Sequence, residues 1–430
     1  MRRSFTVLAA TILTAATLTA GLALADWPQF MGPKRDGSAT DGKLARTWPA
    51  EGPKVLWTLK VGPGFGGAAI KGDKAYLLDR VADKQDVLRC IDFATGKEDW
   101  TTSYDSPGQV SNNGSRSTPS VDDKYVFTVG AFGVAQAVDI AARKQVWSHD
   151  LVKEFANKLP VWAVSQSPLM YKDWVIVAPQ SGKVGLVAYE KATGQSVWQS
   201  EPVGSWSTSY ASPQLFTIAG MEQIVMVSQV AGKKRVNVVG LDPATGKVLW
   251  KYAGWECGIP IPGVSDCGEG RFFITGGYEA GSVMFKVEKT AEGFKAAELW
   301  KNAECSSHLH TALVHKGYIY ANGNSVQNKG VVGLMCLDMD GKAQWKTEKA
   351  PAWDLGDVIL VDDLLIGMDG AGGTLRLAEA DPKAYKQLAE ARVLEQKKTV
   401  WAPMSFSDGK LIVRDNTTMK CLDLRAAAEK

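Results

Sequence analysis

Long amphipathic helical patterns are almost absent from this chain of 430 residues, so an α-helical or α/β fold is excluded at the outset. Neither charge is in excess: 49 lysines and arginines stand against 46 aspartates and glutamates. That balance removes the basic footprint of a nucleic-acid or anionic-membrane binder. Beyond residue 25 no apolar run is long enough to span a bilayer, which predicts a soluble mature protein. Serine-hydrolase elbows, P-loops, dinucleotide fingerprints and Cys-x-x-Cys pairs are all missing. Gly62-Pro63-Gly64-Phe65-Gly66-Gly67 is Gly-rich, but no helix follows it to receive a phosphate, so it reads as a turn. Cysteines number only 6 and histidines only 4. Cys90, Cys336 and Cys421 precede one recurring Asp-containing motif, in equivalent strands, and read as core thiols. Cys257 and Cys267 flank a Gly/Pro-rich loop, where pairing and free thiols are both open. Cys305 has no obvious partner.

What the chain does have is tryptophan and glycine, 15 and 43 residues respectively, arranged in a repeat. A small acidic turn followed by a tryptophan appears as Asp92-Phe93-Ala94-Thr95-Gly96-Lys97 with Trp100. It returns at Glu190-Lys191-Ala192-Thr193-Gly194 with Trp198, and at Asp242-Pro243-Ala244-Thr245-Gly246-Lys247 with Trp250. Degenerate copies are Asp139 with Trp147 and Asp338-Met339-Asp340-Gly341-Lys342 with Trp345. Trp300 closes a unit whose turn is rewritten, and Cys421-Leu422-Asp423-Leu424 lacks its tryptophan. A second motif, a turn followed by a short β-rich run, begins at Lys74, Lys124, Trp174, Gln223, Arg271, Gly317, Leu364 and Lys410. The starts are 46 to 50 residues apart, a period that fits four strands per unit and predicts an all-β, eight-bladed β-propeller of four-stranded antiparallel blades. Gly in the turn supplies a positive φ and Asp bonds the turn backbone. Trp57, Trp100, Trp147, Trp198, Trp250, Trp300 and Trp345 are structural repeat positions that cover seams between blades. The last unit lacks an outer strand, while Val55-Leu56-Trp57-Thr58-Leu59 is an outer strand without predecessors. The two are expected to join and close the ring.

The expected organisation is a signal peptide over 1–25, an irregular arm over 26–53, a single propeller over 54–425 and a tail over 426–430. Arg2 and Arg3, the apolar stretch Val7 to Leu24, and Ala23-Leu24-Ala25 before Asp26 predict export to the periplasm or beyond, with cleavage after Ala25. Sec and twin-arginine routes are both open. Without a cysteine at the cleavage site no lipid anchor is expected. Helices are expected from Asp150 to Lys158 and from Asp381 to Arg392, the second with an N-cap and Pro382 at N1.

The Asp-x-x-Thr-Gly-Lys-x-x-Trp units resemble the pyrroloquinoline-quinone (PQQ) type β-propeller repeat across essentially the whole mature chain. Trp27-Pro28-Gln29-Phe30-Met31-Gly32-Pro33 is similar to small exported propellers of that kind. The resemblance points two ways, to quinoprotein dehydrogenases holding PQQ with a calcium or lanthanide ion, and to BamB, a cofactor-free scaffold. The chain departs from the first by lacking an adjacent-cysteine pair and from the second by lacking an N-terminal lipidated cysteine. The repeat specifies fold more than activity.

In a propeller the loops from each outer strand to the next inner strand gather at one mouth. Those loops carry the candidate ligand residues: Asn113, Arg116, Trp162, Gln166, Trp206, Tyr210, Trp353 and Trp401. Arg116 suits bidentate binding of a carboxylate; the alternative is bonding to nearby loop carbonyls. His308 and His310, at i and i+2 on a strand, are the metal candidates, with Glu304, Cys305 or Asp354 completing a set. Asp354 is also the candidate base. The expected function is a non-catalytic binding or scaffold propeller, expected as a monomer, with a small molecule or protein partner at the mouth. A PQQ- and metal-dependent oxidoreductase of alcohols or sugars is the alternative, and a carbohydrate-binding propeller, suggested by the unpaired tryptophans, is the third.

Overall fold

Each Thr-Gly turn ends one hairpin and receives a tryptophan from the neighbouring blade, and that one contact, repeated, builds the ring. At the first copy Asp92 Oδ1 accepts hydrogen bonds from the Thr95 amide (2.9 Å) and hydroxyl (2.7 Å). This fixes the turn so that Gly96 takes φ +73°. The Trp57 ring lies flat on Gly96, where an added Cβ would sit 2.6 Å from it, and its indole N–H donates to the Phe93 carbonyl at 2.9 Å. The same pairing recurs as Trp147 on Gly194, Trp198 on Gly246 and Trp300 on Gly341. The donated bonds go to the carbonyls of Lys191, Pro243 and Met339. Gly96→Ala therefore meets both a left-handed backbone and a filled space. We expect it to cost about 2 kcal/mol or more, read as a lowered midpoint in urea unfolding.

The computed structural model describes residues 26–40, 43–205, 207, 209–230, 232–323, 333–347, 351, 353–396 and 398–426. It forms eight sheets, each with four antiparallel blade strands. The first blade runs Ala69–Lys71, Lys74–Val81, Gln85–Asp92 and Glu98–Asp105; the second Ser120–Val121, Tyr125–Val129, Val134–Asp139 and Lys144–Asp150. The third to sixth start at Leu169, Gln214, Ser265 and Leu313, and the seventh at Val358. The eighth takes Ser405–Ser407, Lys410–Arg414 and Thr418–Asp423 from the C-terminal end and Lys54–Lys60 as its outer strand. The pairing of Lys54 with Asp423 through Lys60 with Thr418 closes the ring as the repeat predicts. All eight β-rich runs are second strands of blades. The core lies between blades, and its largest cluster joins the arm, the first, seventh and eighth blades through Trp27, Trp57, Phe93 and Phe406.

Two expectations about helices are corrected. Asp150 caps a helix of only four residues, Leu151–Glu154, accepting from the Val152 and Lys153 amides. Residues 381 to 392 are not helical: Lys386–Arg392 is the outer strand of the seventh blade, paired with Thr374–Glu379. Its Ala, Glu and Lys favour a helix, but the blade needs a fourth strand, and tertiary pairing overrides propensity. Asp381 instead opens the turn, with its side chain accepting from the Lys383 amide and its carbonyl accepting from the Trp345 indole at 2.8 Å. Trp250 breaks the seam pattern. The fifth unit replaces its Thr-Gly turn with the long hairpin of Ser282–Thr290 and Gly293–Asn302, so the Trp250 indole donates to Gln223 Oε1 of its own blade at 2.6 Å.

The arm from Asp26 enters the channel. Trp27 exchanges two backbone hydrogen bonds with Ile70 (3.0 and 2.8 Å), and the Pro28 carbonyl accepts from the Val121 amide at 2.8 Å. Ser38 and Ala39 then add a short parallel strand beside Leu360 and Val361. Between these anchors Arg35 is fully buried. Its guanidinium donates to the carbonyls of Pro168 and Pro213 and to Gln29 Oε1. No described helix is long and apolar enough to cross a membrane. The proposed signal segment lies outside the described residues.

Candidate functional site

At three successive hand-overs between blades, Thr118-Pro119, Ser167-Pro168 and Ser212-Pro213, a Ser or Thr with a following proline precedes the inner strand. The Gly67 amide donates to the Thr118 hydroxyl (3.1 Å), the Thr118 amide to Ser167 (3.0 Å) and the Ser167 amide to Ser212 (2.8 Å). The Gly263 amide donates to Thr311 at 3.0 Å. This belt fixes the loops above it, and all eight inter-blade crossings meet around one cavity of about 330 Å³. Its volume suits a small ligand, at the lower end of the ~300–1,000 Å³ common for such sites.

Two aromatic pairs dominate its wall. Trp401 stacks on Phe65 with centroids 5.7 Å apart and planes at 29°. Trp162 tilts against Tyr210 at 5.9 Å, and the Tyr210 hydroxyl accepts from the Trp162 amide at 3.2 Å. Burial pushes the Tyr210 hydroxyl up to about 12, so it stays protonated. Ile259, Ile261, Leu309, Leu355 and Pro403 add apolar surface, and Phe30 reaches the cavity from the arm.

Arg116 lines the cavity with its guanidinium 5.5 Å from the Phe65 ring. It donates to the carbonyls of Gly114 (2.7 Å), Ser111 and Asn112 (both 2.6 Å). It has no carboxylate partner among the described residues, and burial draws its pKa down to about 10. The loop-carbonyl alternative thus describes its contacts, while its face remains presented to the cavity.

His308 and His310 also line the cavity, but they lie in the loop before the inner strand Leu313–His315, not on a strand. Burial, with a smaller contribution from His310, pulls His308 down to about 4, so it is a neutral imidazole near pH 7. Its unfolded value of about 6.5 is higher. The unfolded chain therefore binds the extra proton between about pH 6.5 and 4, and stability falls as the pH drops through that window. The slope from this group is at most about 1.4 kcal/mol per pH unit. Urea midpoints of His308→Gln should fall less steeply over that window than those of the parent. His310 is held on both sides, Nδ1 at 3.0 Å from Asp357 Oδ1 and Nε2 at 3.2 Å from the Leu355 carbonyl.

The expected metal set does not assemble: among the described residues no group of three or more His, Cys, Asp or Glu is placed to hold an ion. Cys305 is buried, and all six cysteines are free, so Cys257 and Cys267 do not pair.

Other candidates fall away from the cavity. Trp353 is wholly buried between the sixth and seventh blades, with Tyr385 edge-on at 6.2 Å and Arg376 over its ring. Breaking the repeat register did not place it at the mouth. Gln166 is buried with both ends of its amide on the Ala178 backbone (2.7 and 2.6 Å). Asn113 donates to Asp83, while its neighbour Asn112 lines the cavity. Trp206 lies outside the described residues. Asp354 does not line the cavity; it lies beside Trp401 with φ +42°. Burial first, and Asp369 second, hold its carboxyl above the usual range. Residues not found from sequence include Phe30, Ile259, Ile261 and Tyr278. Of these, only Ile259 and Ile261 carried a local signal, the Gly-Ile-Pro-Ile-Pro-Gly crossing.

A family model of the PQQ-repeat type, described as outer membrane protein assembly factor BamB, matches residues 40–205 and 83–256. Together these matches cover just over half of the 430 residues. The chain belongs to the PQQ-repeat β-propeller family. Within that family it is 26% identical over 147 residues to quinohemoprotein alcohol dehydrogenase ADH IIB of Pseudomonas putida, covering 32% of this chain and 20% of the relative. It is 23% identical over 261 residues to the quinohemoprotein alcohol dehydrogenase of Comamonas testosteroni, covering 57% and 34%. The chain thus spans only a fifth to a third of these curated relatives. Among solved structures it is similar to a europium-containing methanol dehydrogenase, with a TM-score of 0.62 and 12% identity over 90% of this chain and 89% of the other. It is also similar to BamB of Moraxella catarrhalis, with a TM-score of 0.58 and 13% identity over 86% and 99%. At such identities the structures show the shared propeller alone.

The residues present meet the needs of PQQ only in part. The paired aromatic walls suit a planar ring system. Three carboxylates and a calcium or lanthanide ion ask for more cations and oxygen donors than Arg116 and the described mouth residues supply.

Proposed function

We propose that this protein is an exported binding propeller whose mouth cavity takes a small planar aromatic ligand bearing at most one anionic group. The observation that carries the reading is the cavity itself, with Phe65–Trp401 and Trp162–Tyr210 set as aromatic walls. A planar ligand buries its faces against these rings, each good stacking contact being worth about 1 kcal/mol. Arg116, lacking a carboxylate partner, offers its positive field to an anionic edge without giving up its carbonyl bonds. The Tyr210 hydroxyl and the neutral His308 supply polar contacts that stay uncharged near pH 7.

A second reading, a quinoprotein-type oxidoreductase, draws on the family relationship and on Asp354. That carboxyl is held above its usual range beside Trp401, as suits a residue that accepts a proton during oxidation. PQQ when bound supplies the electron acceptor.

Tryptophan fluorescence separates the readings. Titrating the mature protein with 2-naphthoate and with PQQ, with and without calcium or a lanthanide, should give saturable binding of naphthoate independent of metal, weakened about tenfold or more in Trp401→Ala. PQQ binding that requires the metal, together with dye-linked alcohol oxidation lost in Asp354→Asn, would favour the second reading. No binding of any planar acid would count against the first.

A further inference from the structure

The chain's own arm lies against the inner strands of the blades and contributes one residue to the cavity lining. Of residues 26 to 40 only Phe30 lines the cavity. The segment carrying it is tightly folded on itself. The Gly32 amide donates to the Gln29 carbonyl (3.0 Å), the Arg35 amide to Gly32 (3.2 Å) and the Gly37 amide to Met31 (3.0 Å). The Gln29 side chain donates to the Pro33 carbonyl at 3.1 Å and accepts from Arg35 Nε at 3.0 Å. Arg35 then ties this knot to the third and fourth blades through the Pro168 and Pro213 carbonyls, and the Gln214 side chain donates back to the Arg35 carbonyl at 3.3 Å. Trp27, 1% exposed, and the short strand Ser38–Ala39 hold the other two sides of the ring. Phe30 is therefore not a loose side chain that happens to reach the mouth. It stands on a segment fixed by bonds to at least five blades, so the backbone that carries its ring is preorganised.

We propose that Phe30 is the specificity-determining residue of the mouth cavity: it sets the depth to which a planar ligand can enter, and so the number of fused rings the site accepts. The inference rests on the mouth cavity being the ligand site. The walls come from loops tied by the Ser/Thr belt, and the one floor residue comes from outside the repeat. Floor depth can therefore vary without touching the aromatic walls, which is how a pocket selects by size: a missing or extra apolar group changes affinity by about 10- to 200-fold.

The test uses the mature protein and three aromatic acids of increasing length, benzoate, 2-naphthoate and 2-anthroate, measured by fluorescence titration. Phe30→Ala should shift the ratio of anthroate to naphthoate affinity upward by about tenfold, and Phe30→Trp should shift it downward. A Phe30→Cys variant gives a reading that does not depend on ranking ligands. All six native cysteines are buried, so the new thiol should be the one that reacts with methyl methanethiosulfonate, and saturating naphthoate should protect it. If Phe30→Ala folds and keeps the parent ratio of anthroate to naphthoate affinity, or if the Phe30→Cys thiol reacts equally with and without naphthoate, the role of Phe30 is overturned while the mouth site stands. If the parent protein binds none of the three acids, the mouth site itself fails and the inference falls with it.

Discussion

Replacing Trp57 by alanine is expected to lower the stability of the closed ring by about 3–5 kcal/mol, the largest single-residue effect among the seam tryptophans. Trp57 is 7% exposed and belongs to the largest core cluster. Its removal leaves a cavity over Gly96 and strands the Phe93 carbonyl, which accepts the indole N–H at 2.9 Å. The other seam tryptophans join blades that the chain already connects. Trp57 sits on the strand that joins the two ends of the ring, Lys54–Lys60 against Thr418–Asp423, so its loss also weakens the strand pairing that closes the circle. Trp57→Phe should recover part of the loss by filling space but not the hydrogen bond. Urea unfolding of the parent and both variants, together with Trp198→Ala as an interior seam, checks the ranking. An equal loss at Trp57 and Trp198 would remove the special role of closure.

Arg35→Ala is the second large effect, with an expected cost of about 3 kcal/mol and release of the arm. Arg35 is a buried cation with no carboxylate partner among the described residues, and burial alone draws its pKa down to about 9. Its desolvation is offset only by three acceptors, the carbonyls of Pro168 and Pro213 and Gln29 Oε1. Removing the guanidinium leaves the Pro213 carbonyl and Gln29 Oε1 unpaired, each at about 1–3 kcal/mol, less the relief of no longer burying a charge; the Pro168 carbonyl keeps the Ser120 hydroxyl at 2.6 Å. Arg35→Lys should not rescue well, because an ammonium lacks the planar fork that spans two carbonyls from neighbouring blades. Limited proteolysis gives the second readout: cleavage within residues 26–40 should become rapid in Arg35→Ala and stay slow in the parent. Slow cleavage in both would mean that Trp27 and the Ser38–Ala39 strand suffice to hold the arm.

The propeller was legible in the sequence because its determinants are local. Asp92, Thr95 and Gly96 specify a turn by themselves, and a period near that of four strands leaves few other folds. The closing strand was legible for the same reason, as an outer strand without predecessors. The mouth was legible as a place, but its occupants were not. Trp162, Tyr210 and Trp401 meet at the cavity, whereas Trp353 turns into the core, and nothing in the register of the repeat distinguishes the two fates. Gln166 and His310 carry chemistry suited to a ligand, yet both are committed to protein partners, Ala178 on one side and Asp357 with Leu355 on the other. Phe30 is the clearest case of missing signal. It enters the site from an arm with no periodicity, and only the path of Arg35 and Trp27 through the ring brings it there. The strand at Lys386–Arg392 failed for the opposite reason: its local signal was strong and helical, and the blade's need for a fourth strand prevailed.

A crystal structure of the mature protein grown with saturating 2-naphthoate bears most directly on the mouth as a ligand site. Planar density should appear between the Phe65–Trp401 pair and the Trp162–Tyr210 pair, above Phe30 and within reach of Arg116. Density only on the outer rim of the blades, or a mouth cavity that holds nothing but ordered water at that concentration, would contradict it.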